Sequence, residues 1–156
     1  MQKRDYLIRQ VEQLVAFVRR LMRLLTGGNP QELEQELQSA SSEVGLDLGL
    51  VRALPTEELL RLLAAGGQLD HARCWYLAEL LYVDAVRAAR GGDPLARGLG
   101  LKALRLFLVA YPKALSPLGQ ADSASKIDAL VGLVGEPLPE PLAGELAAFR
   151  AARAQG

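Results

Sequence analysis

Between Asp70 and Pro112 the chain reads DHARCWYLAELLYVDAVRAARGGDPLARGLGLKALRLFLVAYP, and this stretch decides the fold. Cys74, Leu77, Ala78, Leu81 and Ala85 recur at spacings of three and four, with Trp75, Tyr82 and Val86 beside them. That is the period of a helix and not the alternation of a strand. Ala96, Leu99, Gly100, Ala103, Phe107 and Ala110 repeat the pattern in the second half. Asp70 suits a cap before the first run, Gly91-Gly92 stops it, and Asp93-Pro94 restarts the chain. Two helices are therefore expected, over about 70–90 and about 93–111. Both are apolar on nearly all sides, as central helices must be. So short a connection makes them antiparallel, and the pair is expected to be the hub of the core. Gly98 and Gly100 inside the second helix should each cost about 0.8–1 kcal/mol relative to alanine. The usual return for that cost is the close approach of a neighbour.

The same period extends in both directions, so the class is all-α: a bundle of six to seven helices around this antiparallel hairpin. A first helix covers roughly residues 3–26 and stops at Gly27-Gly28; Asn29-Pro30 then opens a polar surface helix to about residue 43. Leu33, Leu37, Ala40 and Val44 form its single apolar stripe. The alternation of Leu46, Leu48 and Leu50 is short and glycine-flanked, and reads as a loop entering a short helical turn. Pro55-Thr56 opens another helix, with Glu57 and Glu58 at its positive end and Gly66-Gly67 closing it. Two shorter helices are expected after Pro112. One carries Ile127, Leu130, Val131 and Val134; the other opens at Pro141 with Leu142, Leu146 and Phe149. The link over 137–141 is too short to separate domains. The expectation is one helical domain over 1–156, an amphipathic helix at 1–26 followed by a bundle at 30–156.

Two resemblances follow from quoted residues. Cys74, Leu77, Ala78 and Leu81, then Ala96, Gly100 and Ala103, resemble the large–small alternation of a tetratricopeptide hairpin over about 74–112. The pattern departs from that family in its overlong first helix, in Gly100 where a large residue is usual, and in the late Pro112. Arg4-Asp5-Tyr6-Leu7-Ile8-Arg9-Gln10-Val11-Glu12-Gln13-Leu14 resembles the opening of a family of small helical bacterial proteins of unassigned function. That likeness implies a shared fold and supplies no activity.

The 156 residues, half of them hydrophobic, are enough to bury about 70% of the unfolded surface. The lone Cys74 has no internal partner, the apolar runs are far short of a membrane span, and residues after Lys3-Arg4 do not form a secretory signal. A cytoplasmic protein is expected. Basic and acidic residues balance at 18 each, which argues against a dedicated nucleic-acid binder. The balance is uneven along the chain. Lys3, Arg4, Arg9, Arg19, Arg20 and Arg23 face only Asp5 and Glu12 within residues 1–25, so the remainder is acidic. Arginine in excess of lysine, with abundant Ala, Leu and Gly, reads as GC-rich bacterial coding.

Motifs that carry chemistry do not assemble. Gly98-Leu99-Gly100 lies inside a helix without a preceding strand or third glycine, so it is no dinucleotide loop. His71 and Cys74 are one turn apart, but two ligands do not make a metal site and no further His or Cys exists. Cys74 also sits on an apolar stripe, where burial raises a thiol's pKa and blocks access. No cofactor and no metal are expected. Glu79 and Asp84 are carboxylates on a helix rich in apolar residues; five positions apart, they point about 140° away from each other. Arg73, Arg87 and Arg105 are ready salt-bridge partners for them. An unrecognised enzyme would have to use a pocket near Arg73, Tyr76, Glu79 and Tyr82; aromatic residues such as these and Tyr111 are more usually core.

The first helix is the best functional candidate. Leu7, Val11, Leu14, Val18, Leu21 and Leu25 alternate by four and three, the seam of a coiled coil or helix pair. Ile8, Val15 and Met22 widen the seam, Phe17 and Leu24 flank it, and Arg9, Arg19, Arg20 and Arg23 mark the opposite stripe. Three readings are open: a core helix with a solvated basic face, a helix that binds a partner or a second copy, and a helix lying on an anionic membrane. Acidic residues within 32–36 and 43–47 are close enough in sequence to fold over the arginines. The function expected is a non-enzymatic protein–protein interaction or scaffold protein, self-associating through this helix. A peripheral membrane-surface protein is the alternative. The candidate surface is Leu7, Val11, Leu14, Phe17, Val18, Leu21 and Leu24 with Arg19, Arg20 and Arg23.

Overall fold

The computed structural model describes residues 2–111 and 117–155; the side chains of 2–11, 14, 15 and 117–121 lie outside the described set. Eight helices and no strand occur among the described residues: α1 (Gln2–Gly27), α2 (Pro30–Glu43), α3 (Leu48–Ala53), α4 (Thr56–Leu63), α5 (His71–Arg90), α6 (Ala96–Ala110), α7 (Pro117–Val134) and α8 (Leu142–Gln155). The fold is all-α. One helix more than expected is present because Leu48–Ala53 forms a true helix rather than a turn. The chain divides into two compact units, Met1–Ala53 and Leu54–Gly156. The boundary falls between α3 and α4, so the amphipathic first helix shares its unit with α2 and α3.

In the first unit, Gly28 N–H donates to the Leu24 carbonyl at 2.9 Å and closes α1. A Cβ at Gly28 would lie 2.8 Å from the Leu24 Cα, so glycine is required there. Asn29 accepts from the Gln31 N–H at 2.7 Å, and Pro30 occupies the first helical position of α2, as the sequence predicts. Leu33, Leu37 and Ala40 are buried, but Val44 caps the helix instead of continuing its stripe. The fourth buried position is Ser41, whose hydroxyl donates to the Leu46 carbonyl at 2.6 Å. The Leu46 N–H returns a bond to the Ser41 carbonyl, and Gly45 supplies the positive φ between them. Asp47 then accepts from the Leu50 N–H at 3.1 Å, and α3 buries Leu48 and Val51.

In the second unit, α5 and α6 form the hub. Asp70 caps α5 by accepting from the Arg73 N–H at 3.1 Å, and Gly92, at φ 68°, turns the chain after it. Cys74 near the start of α5 donates its Sγ–H to the Leu106 carbonyl near the end of α6, so the pair is antiparallel. α6 begins at Ala96, later than Asp93-Pro94 suggests, because the Asp93 side chain accepts from the Leu95 N–H and makes a separate turn first. The two glycines of α6 differ. A Cβ at Gly100 would meet Val134 Cγ1 at 2.6 Å and Leu133 Cδ2 at 3.0 Å, so Gly100 is where α7 seats. Gly98 has nothing within 4 Å of a Cβ, and its cost has no packing return. α7 is longer than expected, starting at Pro117 and burying Ile127, Leu130 and Val134. Arg97 of α6 donates to the carbonyls of Val134 and Pro137 and so satisfies the C-terminal end of α7. α8 buries Leu142, Leu146 and Phe149, the last meeting Tyr111 edge to face at 4.9 Å.

Candidate functional site

Two places merit a chemical reading. The first is α1. Leu7, Val11 and Leu14 lie outside the described side chains, so the candidate surface is described only from Phe17 onward. Phe17 and Leu21 are buried, at 9% and 0% exposure. Val18, Met22, Leu24 and Leu25 are half-buried, and Arg19, Arg20 and Arg23 are exposed. The carboxyl half of α1 therefore spends its seam on the protein's own core, and Phe17 and Leu21 are unavailable to a partner. Arg20 pairs with Glu36 of α2 at 3.1 Å and lies over the Phe17 ring, so acidic residues of α2 do fold over part of the basic stripe.

The amino-terminal half of α1 is placed differently. Its 26 residues rise about 39 Å, whereas the 14 of α2 rise about 21 Å. Only Gly28 and Asn29 separate these helices, so they run antiparallel, and the Arg20–Glu36 pair fixes their register. Counting outward from that pair brings Glu43, the end of α2, level with Gln13. α3 turns back from there, because Arg52 grips Glu34 through two hydrogen bonds of 2.8 and 2.9 Å. By that register α1 extends beyond the end of α2 over residues 2–12.

The second place is a buried polar cluster in α5 and α7. Asp84 behaves as its spacing predicts, pairing at 2.7 Å with Arg87 one turn later. Glu79 does not use the arginines of the sequence reading. It is 1% exposed and accepts from Lys126 Nζ of α7. Lys126 is itself buried; it also reaches Asp122 at 2.9 Å and stands 5.6 Å from the Tyr82 ring centre. The buried indole N–H of Trp75 completes no hydrogen bond of ordinary geometry, but it bears on Glu79 closely enough to favour the charged form. Burial outweighs both helpers and lifts the Glu79 carboxyl to about 6. Lys126 moves up, because its two carboxylates outweigh its own desolvation.

The remaining candidates have structural roles. Arg105 joins three helices, holding Glu145 of α8 at 2.9 Å and Glu57 of α4. Burial, aided by the nearby Asp70, pushes the Cys74 thiol up to about 12, which keeps it protonated at neutral pH. Among the described residues no three of His, Cys, Asp and Glu gather as a metal site, and no helix is long and apolar enough to cross a membrane. Tyr76, Tyr82 and Tyr111 are half-buried. Lys126 is the residue that sequence reasoning missed. The Asp122–Lys126 spacing of four is its only local signal, and nothing in it points to Glu79, 47 positions away.

No protein-family model, curated protein or solved structure matches the chain. The fold and these two places define a class only: an all-helical protein of two compact units.

Proposed function

We propose that this is a non-enzymatic interaction or scaffold protein that engages another helix through the amino-terminal half of α1, with a second copy of the chain as the occupant. The observation that carries this reading is the overhang of residues 2–12 beyond α2. Tyr6, Leu7, Ile8 and Val11 fall on that overhang, and the sequence gives Leu7 and Val11 the spacing of a helix-pairing seam. Apolar area left in water forfeits about 25 cal/mol per Å², and a helix-pairing seam recovers it by meeting a second one. The polar groups of the hub point the same way: Glu79, Asp84 and Arg105 are committed to ion pairs, and Cys74 is sealed in the core.

Sedimentation of the full chain tests this. The wild type is expected to be dimeric at micromolar concentration, and Leu7→Glu/Val11→Glu to be monomeric with an unchanged helical circular dichroism signal. A monomeric wild type over the whole concentration range would overturn self-association. The exposed Arg19, Arg20 and Arg23 favour a second reading, a helix resting on an anionic membrane. Co-sedimentation with phosphatidylserine vesicles that weakens with salt and is lost on changing these three arginines to glutamate would select it.

A further inference from the structure

The Glu79–Lys126 contact looks like a strap whose charges tie α7 to α5 and would be cut by acid. Its geometry argues the reverse. The three groups differ in their access to water: the side chains of Glu79, Lys126 and Asp122 are 1%, 11% and 52% exposed. Glu79, 1% exposed, accepts from Lys126, with the Trp75 indole N–H beside it. Lys126 has a second, solvated carboxylate in Asp122, one helical turn away. If a proton arrives, Glu79 sheds a charge that the interior tolerates poorly, while Lys126 keeps a partner at the surface. Desolvation of a buried pair commonly exceeds its mutual attraction, so the neutral carboxyl is the better fit to this position.

Among the described residues, the charges that act on Glu79 are those of Lys126 and Asp122. α4 and α6 bring none to bear on Glu79. Glu57 of α4 is held by Arg105 of α6, and Arg97 of α6 is engaged at the end of α7. At Gly100 the α7 seat is apolar, made by Leu130, Leu133 and Val134, and Asp128 of α7 faces Arg153 of α8 at 3.4 Å.

We propose that Glu79, Lys126 and Asp122 form a proton-responsive latch between α5 and α7 that tightens in mild acid: protonation of Glu79 relieves a buried charge, Asp122 retains Lys126, and α7 docks more firmly than at neutral pH. The upward displacement of the Glu79 carboxyl from 4.5 to about 6 has the matching sign. A folded state that binds the proton more tightly than the open state gains stability as pH falls from about 6 to about 4.5, and holds that gain below. One pKa unit is a factor of ten, so the full displacement is worth about 30-fold in the closing equilibrium. About eightfold of it falls between pH 7 and pH 5.

Hydrogen exchange of the α7 amides in the full chain, corrected for the intrinsic pH dependence, reads this directly. The wild type is expected to show about eightfold less opening at pH 5 than at pH 7. Glu79→Gln, which mimics the protonated carboxyl, should show none of that dependence and be about fourfold better protected at pH 7 than the wild type at pH 5. Carboxyl-carbon NMR titration of the unmodified protein keeps the test independent of how the variant folds, and should place Glu79 well above an ordinary glutamate. A Glu79 that titrates at or below 4.5, or α7 amides that loosen on acidification, would overturn the proposal.

Discussion

The carboxyl half of α1 and the α5–α6 hairpin are both apolar by sequence, yet they are apolar for different ends. The hairpin is enclosed: eleven of the twenty residues of α5 are buried, including Glu79 and Asp84, and each of these carboxylates meets a cation, Lys126 for the first and Arg87 for the second. α1 is covered along part of its length, with Phe17 and Leu21 buried and the arginines in solvent. A helix surrounded by neighbours can keep a charge only if a neighbour supplies its complement. A helix with one wet face can keep any charge at little cost. The same residue types therefore carry different energies in the two regions, and substitutions expose the difference.

The largest effect is expected in the hairpin. Lys126→Met leaves the Glu79 carboxylate buried without its cation, a change that costs about 3–5 kcal/mol when a buried pair is broken from one side. Urea denaturation should show the loss at pH 7, and because Glu79 can then take up a proton, a smaller loss at pH 5. An unfolding midpoint unchanged at pH 7 would mean that the pair is not buried as described.

Next come the two glycines of α6. Gly100→Val drives a branched side chain against Val134 and Leu133 and should cost about 1–3 kcal/mol through overpacking. Gly98→Ala meets open space and should stabilise by about 0.8–1 kcal/mol. Opposite signs from neighbouring glycines in one thermal melt series would sharpen the picture of α7 seated on Gly100; equal signs would break it. The smallest effect belongs to α1. Arg20→Gln removes an ion pair whose arginine is 54% exposed and should change stability by no more than about 1 kcal/mol, less in high salt.

Much of the fold was legible because its signals are local. Asn29-Pro30 and Asp70 are caps whose partners lie within three residues, and the apolar spacing of α5 and α6 needs no tertiary information to read as two central helices. The same holds for Asp84, whose partner Arg87 is one turn away. Glu79 was legible as an oddity and not as a pair, because its cation comes from α7. Gly98 and Gly100 were indistinguishable in sequence, since what separates them is the neighbour across the gap. The candidate surface on α1 reads in sequence as one continuous seam, and only the fold shows that Phe17 and Leu21 within it are buried.

The sequence by itself determined the helical class, the caps at Asn29 and Asp70 and the antiparallel hairpin, since these depend on periodicity and on hydrogen bonds a few residues long. Tertiary structure alone decided which carboxylate is paired across helices, which glycine is indispensable and that Phe17 and Leu21 of α1 are buried. Each of those depends on what another helix brings to the same place, and burial converts an ordinary glutamate or glycine into a costly or an essential one.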